Sequence, residues 1–331
     1  MGIKNLNTLL LKYCNNNGIV KKKLNLVQDK YVAIDTSIFL YKYQYNGSNI
    51  YDKFLKQIYI LLKNKIKPIY IFDGKACFEK QPLLEKRRKN RNKKEIELYF
   101  KKEELNNPTL SLDKINEINN DINKITKNLI YVKKNTITNL KNLMNMLYIN
   151  YIQASGEADA VCAQLFKNKL VIGCITEDMD LLAYGCNIIK NFNLTNEYIT
   201  YYNFDNILKN LNLTKKQFID ICILSGCDYT NKIPGIGIMN AYKLINKYKD
   251  IENTIINYCS NKNITVPDNF NYNNARNIFN SRIDNIIYNE GNNFSRNSIM
   301  DIIEFISNIS TFNKFVILAD KLIFMGIYPL Y

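Results

Sequence analysis

VIGCITEDMDLLAYG, residues 171–185, carries an apolar run from Val171 to Ile175 straight into Glu177, Asp178 and Asp180. The run reads as a buried strand, and acids placed just after it stand where a parallel strand leaves its sheet. Carboxylates at that spacing repel and raise one another's pKa, so the cluster costs stability unless positive charge lies between them. A helix N-terminus would account for one such cluster, because acids complement the helix dipole. The pattern recurs, however. KYVAIDTSIFLY (30–41) is a short apolar strand ending at Asp35, and IKPIYIFDGK (66–75) is a second, ending at Asp73-Gly74. Three apolar strands separated by helical stretches such as 50–64 predict an α/β fold with a mostly parallel central sheet flanked by helices. The carboxyl ends of a parallel sheet lie along one edge, so Asp35, Asp73 and Asp178 are expected to converge.

Further acids come from outside these strands. QASGEADAVCAQLF (153–166) places Glu157 and Asp159 in the first turn of a helix opened by Ser155 or Gly156. KQFIDICILSGCDYT (216–230) is an amphipathic helix broken at Ser225-Gly226, after which Asp228 emerges. Asp35, Asp73, Glu157, Asp159, Asp178, Asp180 and Asp228 together could form an anionic pocket with too little local lysine or arginine to neutralise it. Such hard oxygen donors suit Mg²⁺ or Mn²⁺, and two ions ~4 Å apart form a clamp for in-line attack on a phosphodiester.

Composition narrows the chemistry. The 331 residues include no histidine, which removes Ser-His-Asp and Cys-His nucleophilic schemes and any histidine-containing zinc site. Forty-five Lys and Arg against thirty Asp and Glu leave a net charge of +15, which favours a polyanionic partner over a merely solubilising surface. No apolar run reaches bilayer length and no export signal is evident, so no membrane association is expected. The eight cysteines, without close CxxC pairs, read as reduced intracellular thiols.

In order along the chain, MGIKNLNTLL, AIDTS, IFDGK, GEADA, TEDMDLLAYG, GCDY and IPGIG resemble the flap endonuclease family, the XPG-type structure-specific 5′ nucleases. VPDNFNYNNARNIF (266–279) resembles a later segment of the same enzymes. The resemblance implies a PIN-like nuclease core forming one XPG-type domain over 1–331. Within it fall an N-terminal nuclease region 1–95, a helical arch or cap 80–150, an internal region 150–258 and C-terminal loops and helices 259–331. It further implies that Asp35, Asp73, Glu157 and Asp159 mainly hold one Mg²⁺ while Asp178, Asp180 and Asp228 serve a second. Glu177 matches no ligand. In a strand-like stretch Asp178 and Asp180 share a face and Glu177 points away, which agrees with that division.

EKQPLLEKRRKNRNKKE (79–95) is a basic helix, and a charge run of this kind is ordinarily a solvated face. Lys80 and Arg87, seven apart and therefore on one side, match family positions that reach the scissile phosphate and would stabilise charge developing there. Lys86, Arg88, Lys89 and Arg91 are expected to face solvent or the DNA backbone. Residues 96–133 correspond to the rest of the arch, under which a free 5′ end threads.

GCDYTNKIPGIGIMNAYKLINKY (226–248) places Gly235 and Gly237 in a turn whose bare N–H groups can approach phosphate oxygens, ahead of a helix N-terminus. With the preceding helix 215–225 it resembles the family's helix-two-turn-helix (215–248), which also binds K⁺. Gly2 and Tyr41 match positions near the active site, the tyrosine stacking on a terminal base; an ordinary buried aromatic is the competing reading for Tyr41. The Asn-rich segment 259–297 reads as loop, and LIFMGIYPLY (322–331) lacks the spacing of a sliding-clamp peptide.

The activity so implied is cleavage of DNA 5′ flaps at single-strand/duplex junctions in replication or repair, by two-metal hydrolysis, in a nuclear monomer. A 5′–3′ exonuclease or bubble-type repair nuclease of the superfamily is the nearest alternative. A haloacid-dehalogenase-like phosphatase using Asp178 and Asp180 is the alternative from another class, although Leu182 stands where it expects Thr or Val.

Overall fold

Val32, Ala33 and Ile34 are all fully buried, the mark of a strand covered on both faces. The computed structural model, which describes residues 2–281 except 48, 196 and 197, places them in the interior of a sheet. Its strands are β1 (Ile19–Lys23), β2 (Tyr31–Asp35), β3 (Lys67–Phe72), β4 (Tyr151–Gln153), β5 (Cys174–Ile175), β6 (Ile188–Lys190) and β7 (Tyr198–Tyr202). They run in the order β1-β7-β6-β5-β2-β3-β4. β4, β3, β2, β5 and β6 are mutually parallel, whereas β7 is antiparallel to both β6 and β1. Successive residues alternate between two cores. Ala33, Ile69, Ile71 and Cys174 face the helices Leu6–Tyr13, Ala158–Lys167 and Lys215–Ser225. Ile34, Tyr70, Phe72 and Ile175 face Thr36–Tyr45, Ile50–Lys63 and Lys134–Met146.

The strand expected over Val171–Ile175 is regular only at Cys174–Ile175. Residues before it still make ladder bonds, from Ile172 N–H to Tyr31 O at 3.0 Å and from Ala33 N–H to Gly173 O at 3.1 Å. At Gly173 the neighbouring chain comes so close that a β-carbon would lie 2.7 Å from the Asn187 carbonyl oxygen. Only glycine permits that approach.

A long helix, Gln81–Glu104, rises from the sheet edge without one buried residue and is paired with Leu112–Asn128. Ile118 and Ile125 are the buried residues of Leu112–Asn128, Lys101 bonds Asp121 at 3.2 Å across the pair, and Arg91 lies over the Tyr131 ring at 5.1 Å. This hairpin falls within residues 80–150. Part of the segment read as loop is a helix, Tyr272–Asn280, and its asparagine-rich composition concealed it. Residues 282–331, with the C-terminal part of region 259–331 and the clamp-peptide reading of 322–331, lie outside the described residues.

What anchors that helix is charge. Arg276 forks onto fully buried Asp220 of the helix Lys215–Ser225, Nε to Oδ1 at 2.6 Å and Nη2 to Oδ2 at 2.7 Å, and also bonds Glu252. Removing the arginine leaves the buried Asp220 carboxylate without its partner. Arg276→Ala is therefore expected to cost about 3–5 kcal/mol in urea unfolding. Glu252→Gln, at a side chain 40% exposed, should cost far less. Equal costs would show that the buried Asp220 pair is not the anchor.

Candidate active site

Each acid is placed by the element it ends or begins. Asp35 finishes β2 and caps the helix Thr36–Tyr45, its Oδ1 accepting from Ile38 N–H at 3.4 Å. Its Oδ2 accepts from Thr176 Oγ1 at 3.0 Å, and the same hydroxyl oxygen accepts from Asp178 N–H at 3.0 Å. Asp73 follows β3, and its Oδ1 takes the Ala158 N–H at 2.8 Å, tying the strand end to the helix Ala158–Lys167. Gly74 allows this docking, since a β-carbon there would overlap the Ala154 carbonyl.

Glu157 sits at the N-cap of that helix but does not cap it. Its Oε2 accepts from Lys80 Nζ at 3.1 Å and from Tyr229 Oη at 2.7 Å, while Cys77 Sγ lies 3.6 Å from Oε1. Tyr229 is in turn joined to Tyr184 by a 2.8 Å hydroxyl contact, and both rings pack on Phe279. Asp159 lies in the first turn. Asp180 opens a short helix, Asp180–Ala183, and its Oδ1 accepts from Ile3 N–H at 2.6 Å; Asp178 Oδ1 accepts from Asp180 N–H at 3.1 Å. Asp228 accepts from Arg87 Nη2 at 3.3 Å and lies 4.0 Å from Lys80 Nζ.

The structure therefore brings Lys80 and Arg87 onto the acids, although Lys80 stands at the helix N-cap and only Arg87 within the helix. Gly2 also joins them. It has φ +89°, and a β-carbon on it would overlap Asp178 Oδ1 and Asp180 Oδ1. Glu177 turns away to Lys42, at 3.5 Å. The reason differs from strand alternation, because residue 179 is already helical (φ −87°, ψ −10°) and the chain leaves the sheet at once. Tyr41 is half exposed, less than two turns along the helix that Asp35 caps, and is not the buried aromatic of the competing reading. Gly235 and Gly237 lie apart from the carboxylates, in the turn before the helix Ile238–Tyr248. Gly235 has φ +77°, Gly237 is extended, and a β-carbon on either would enter open space. Thr176 and Tyr229, which orient Asp35 and Glu157, stand inside the motifs TEDMDLLAYG and GCDY, yet the sequence assigns them no role because each one's partner is distant in the chain.

The electrostatics record how crowded the acids are. Burial, then Asp73 and Asp178, push Asp35 up to about 7 against the Thr176 and Ile38 hydrogen bonds. Burial, then Asp178 and Asp228, push Asp180 up to about 8 against the Ile3 N–H and Lys80. Burial among Asp35, Asp178, Asp180 and Asp73 holds Asp159 well above the carboxylate range. Burial opposes the Lys80 charge, yet Glu157, Asp159 and Asp228 hold its pKa above the usual lysine value. Among the described residues no three acidic or thiol groups are closed to metal-holding spacing as they stand.

These shifts carry a sign. A carboxyl whose folded pKa is raised contributes stability below its unfolded value, about 4, and loses it as pH rises toward the folded values. The metal-free protein should thus melt roughly 5 °C or more lower at pH 8 than at pH 5.5. Asp180→Asn should flatten that slope, and calorimetric scans showing the same slope in both proteins would exclude the cluster as its source.

Comparison with known proteins agrees in both sequence and shape. Residues 1–94 match the XPG N-terminal domain and residues 148–228 the XPG I-region. Flap endonuclease 1 of Aedes aegypti is 36% identical over 303 residues, covering 84% of this chain and 74% of that protein. The Entamoeba histolytica flap endonuclease 1 is 33% identical over 298 residues, 84% of this chain and 75% of its own length. In fold, the catalytic core of Rad2 in complex with DNA substrate matches with TM-score 0.70 at 20% identity, over 99% of this chain and 100% of that one. Flap endonuclease-1 from Methanococcus jannaschii matches at 0.65 and 23%, over 95% and 98%. With the acids gathered at one sheet edge and both XPG regions in order, the chain belongs to the flap endonuclease family of XPG-type nucleases.

Proposed function

We propose that this chain is a structure-specific nuclease that cuts DNA 5′ flaps where single strand meets duplex, using two divalent cations. The observation that carries the reading is the gathering of seven carboxylates at the sheet edge with Lys80 and Arg87 inserted among them. An all-oxygen donor set fits Mg²⁺, with Mn²⁺ as a substitute, and the raised carboxyl pKa values describe a site short of positive charge. Asp35, Asp73, Glu157 and Asp159 would hold one ion, Asp178, Asp180 and Asp228 the other. Bound there, the ions would supply Lewis-acid stabilisation of the phosphodiester and a water nucleophile at neutral pH.

The chain's own residues do the rest. Lys80 and Arg87 present fixed cations at the mouth of the cluster. Tyr229 and Thr176 fix the carboxylates they bond. The helix Gln81–Glu104, which carries Arg87 to Asp228, offers a basic surface without a buried residue that suits the single-stranded arm. Half-exposed Tyr41, on the family resemblance, stacks on a terminal base. On the family resemblance, the turn at Gly235–Gly237 takes duplex phosphate and K⁺, and the protein acts as a monomer in the nucleus. Among the described residues no helix is long and apolar enough to cross a membrane. The family removes the phosphatase reading.

The deciding assay is the purified protein with Mg²⁺ on matched flap, gapped, bubble, single-stranded and intact duplex DNA. Flap substrates should be cut fastest, at the junction. A ladder of mononucleotides from a recessed 5′ end would instead assign the exonuclease, and preference for bubbles the repair-type enzyme.

Duplex grip is tested at Gly237, where the extended backbone and open space let any residue fold. Gly237→Val should melt like the parent yet bind duplex about tenfold more weakly, because its side chain displaces phosphate from the helix N-terminus. Gly235→Val added to it deepens the loss, with some strain from the positive φ. Affinity in both should fall by ~0.9 log unit per log unit of salt for each phosphate neutralised. Unchanged duplex affinity in the double variant would move the grip elsewhere.

A further inference from the structure

A cavity of about 670 Å³ opens beside the carboxylates, between the N-terminal residues, the start of the helix Gln81–Glu104 and the turn at 225–232. Three segments distant in sequence each contribute one lysine to it: Lys4, Lys86 and Lys232. The only acid among its described lining residues is Asp228, already engaged by Arg87. No ion pair of the described residues uses any of the three lysines. The cavity is therefore a basket of uncompensated positive charge directly against a site of negative charge.

Two glycines shape it. Gly226, at φ +107°, leaves room for the Lys232 stem, whose Cδ would lie 3.3 Å from a β-carbon there. Gly2 forms the wall shared with the reaction centre, where its neighbour Ile3 holds Asp180 through a backbone N–H. No aromatic ring lines the described part of the cavity, so it offers no face for stacking a base. Lysines converging as point charges without a stacking surface suit a phosphate group.

We propose that this cavity is a second phosphate subsite, which seats the phosphodiester adjacent to the one that is cut, on the same strand. The proposal rests on the nuclease reading above for its substrate. It gives Lys86 a defined partner in place of solvent, and assigns Lys4 and Lys232 to substrate binding. Seating the neighbouring phosphate fixes which bond lies over the carboxylates, so the subsite sets the position of the cut as well as affinity. A terminal 5′-phosphate has the same chemistry and is separated from an internal linkage by the test.

The test uses flap substrates bearing a single uncharged methylphosphonate at each linkage around the cut, with either a 5′-phosphate or a 5′-hydroxyl. In the parent, neutralising one adjacent linkage should lower kcat/KM by about tenfold. In the Lys4→Ala/Lys86→Ala/Lys232→Ala variant the charged substrate should be cut about tenfold more slowly and with a less uniform cut position. That variant should suffer no further loss from the same methylphosphonate, while remaining sensitive at other linkages. Lys→Arg at the three positions should restore most of the rate, which excludes misfolding as the cause. The same coupling should appear in binding measured by anisotropy with Ca²⁺. A parent that cuts none of the DNAs defeats the nuclease reading, and the subsite then stands or falls on that binding coupling alone. Losses that simply add at every linkage, a triple variant indistinguishable from the parent, or coupling only to the 5′-terminal phosphate each overturn the assignment.

Discussion

Asp178→Ala and Asp180→Ala should each lower single-turnover cleavage by ~10³ or more, the equivalent of about 4 kcal/mol of lost charge stabilisation. Flap affinity in both should stay within several-fold, because the change costs a cation its seat but also removes negative charge from the DNA side. The two residues are coupled: Asp178 accepts the Asp180 N–H, and Asp180 accepts the Ile3 N–H. Removing Asp178 also takes away the largest charge contribution to the raised pKa of Asp180, so the metal-free variant should be more stable near neutral pH even as it loses activity. That opposite movement of stability and rate marks a functional site. Glu177→Gln is the control. Its partner Lys42 is 3.5 Å away, and the two side chains are 38% and 29% exposed, so the pair contributes ~1 kcal/mol at most. Cleavage that falls as far in Glu177→Gln as in its neighbours would end the division of roles along this loop.

What could be read from the chain alone was whatever local pattern determines. β2 ending at Asp35 and β3 ending just before Asp73 follow from apolar runs closed by an acid, and two strands of one parallel sheet must deliver those acids to one edge. The seventh acid, Asp228, is legible because Ser225-Gly226 breaks an amphipathic helix just before it. Where pairing decides, reading faltered. At Gly173 the chain 14 residues onward, at Asn187, comes so close that only glycine fits, a requirement its partner sets. Glu177 was assigned outward by strand alternation, but the chain there is a turn into a helix, and the outward position is held by Lys42 from another element. The helix Tyr272–Asn280 looked like loop because its composition is polar, while its anchor is an ion pair with Asp220, fifty-six residues earlier. Tyr229 and Thr176 share this fate. A hydroxyl that orients a carboxylate has no local signature, because its meaning lies wholly in the partner.

Lys80→Ala and Arg87→Ala should each lower the single-turnover rate by ~10² or more, with a smaller effect on affinity. Both cations stand at the mouth of the carboxylate cluster, Lys80 on Glu157 and near Asp228, Arg87 on Asp228. A phosphodiester entering the site competes for them, and a cation already held in place needs little reorganisation to meet charge developing on the leaving oxygen. The two are not equivalent. Lys80 is only 20% exposed, lies 5.8 Å from the Tyr229 ring centre and helps hold Asp180 below where burial would put it. Losing it should therefore also lower the melting temperature of the metal-free protein near neutral pH. Arg87, 41% exposed, should leave the melting temperature unchanged and show its loss in the rate alone. Lys89→Ala, on the exposed basic run of the same helix, is the comparison and should be mild. If Lys80→Ala, Arg87→Ala and Lys89→Ala weaken binding alike and leave the rate of bound substrate untouched, residues 79–95 are a solvated basic face and the two cations have no part in the chemistry.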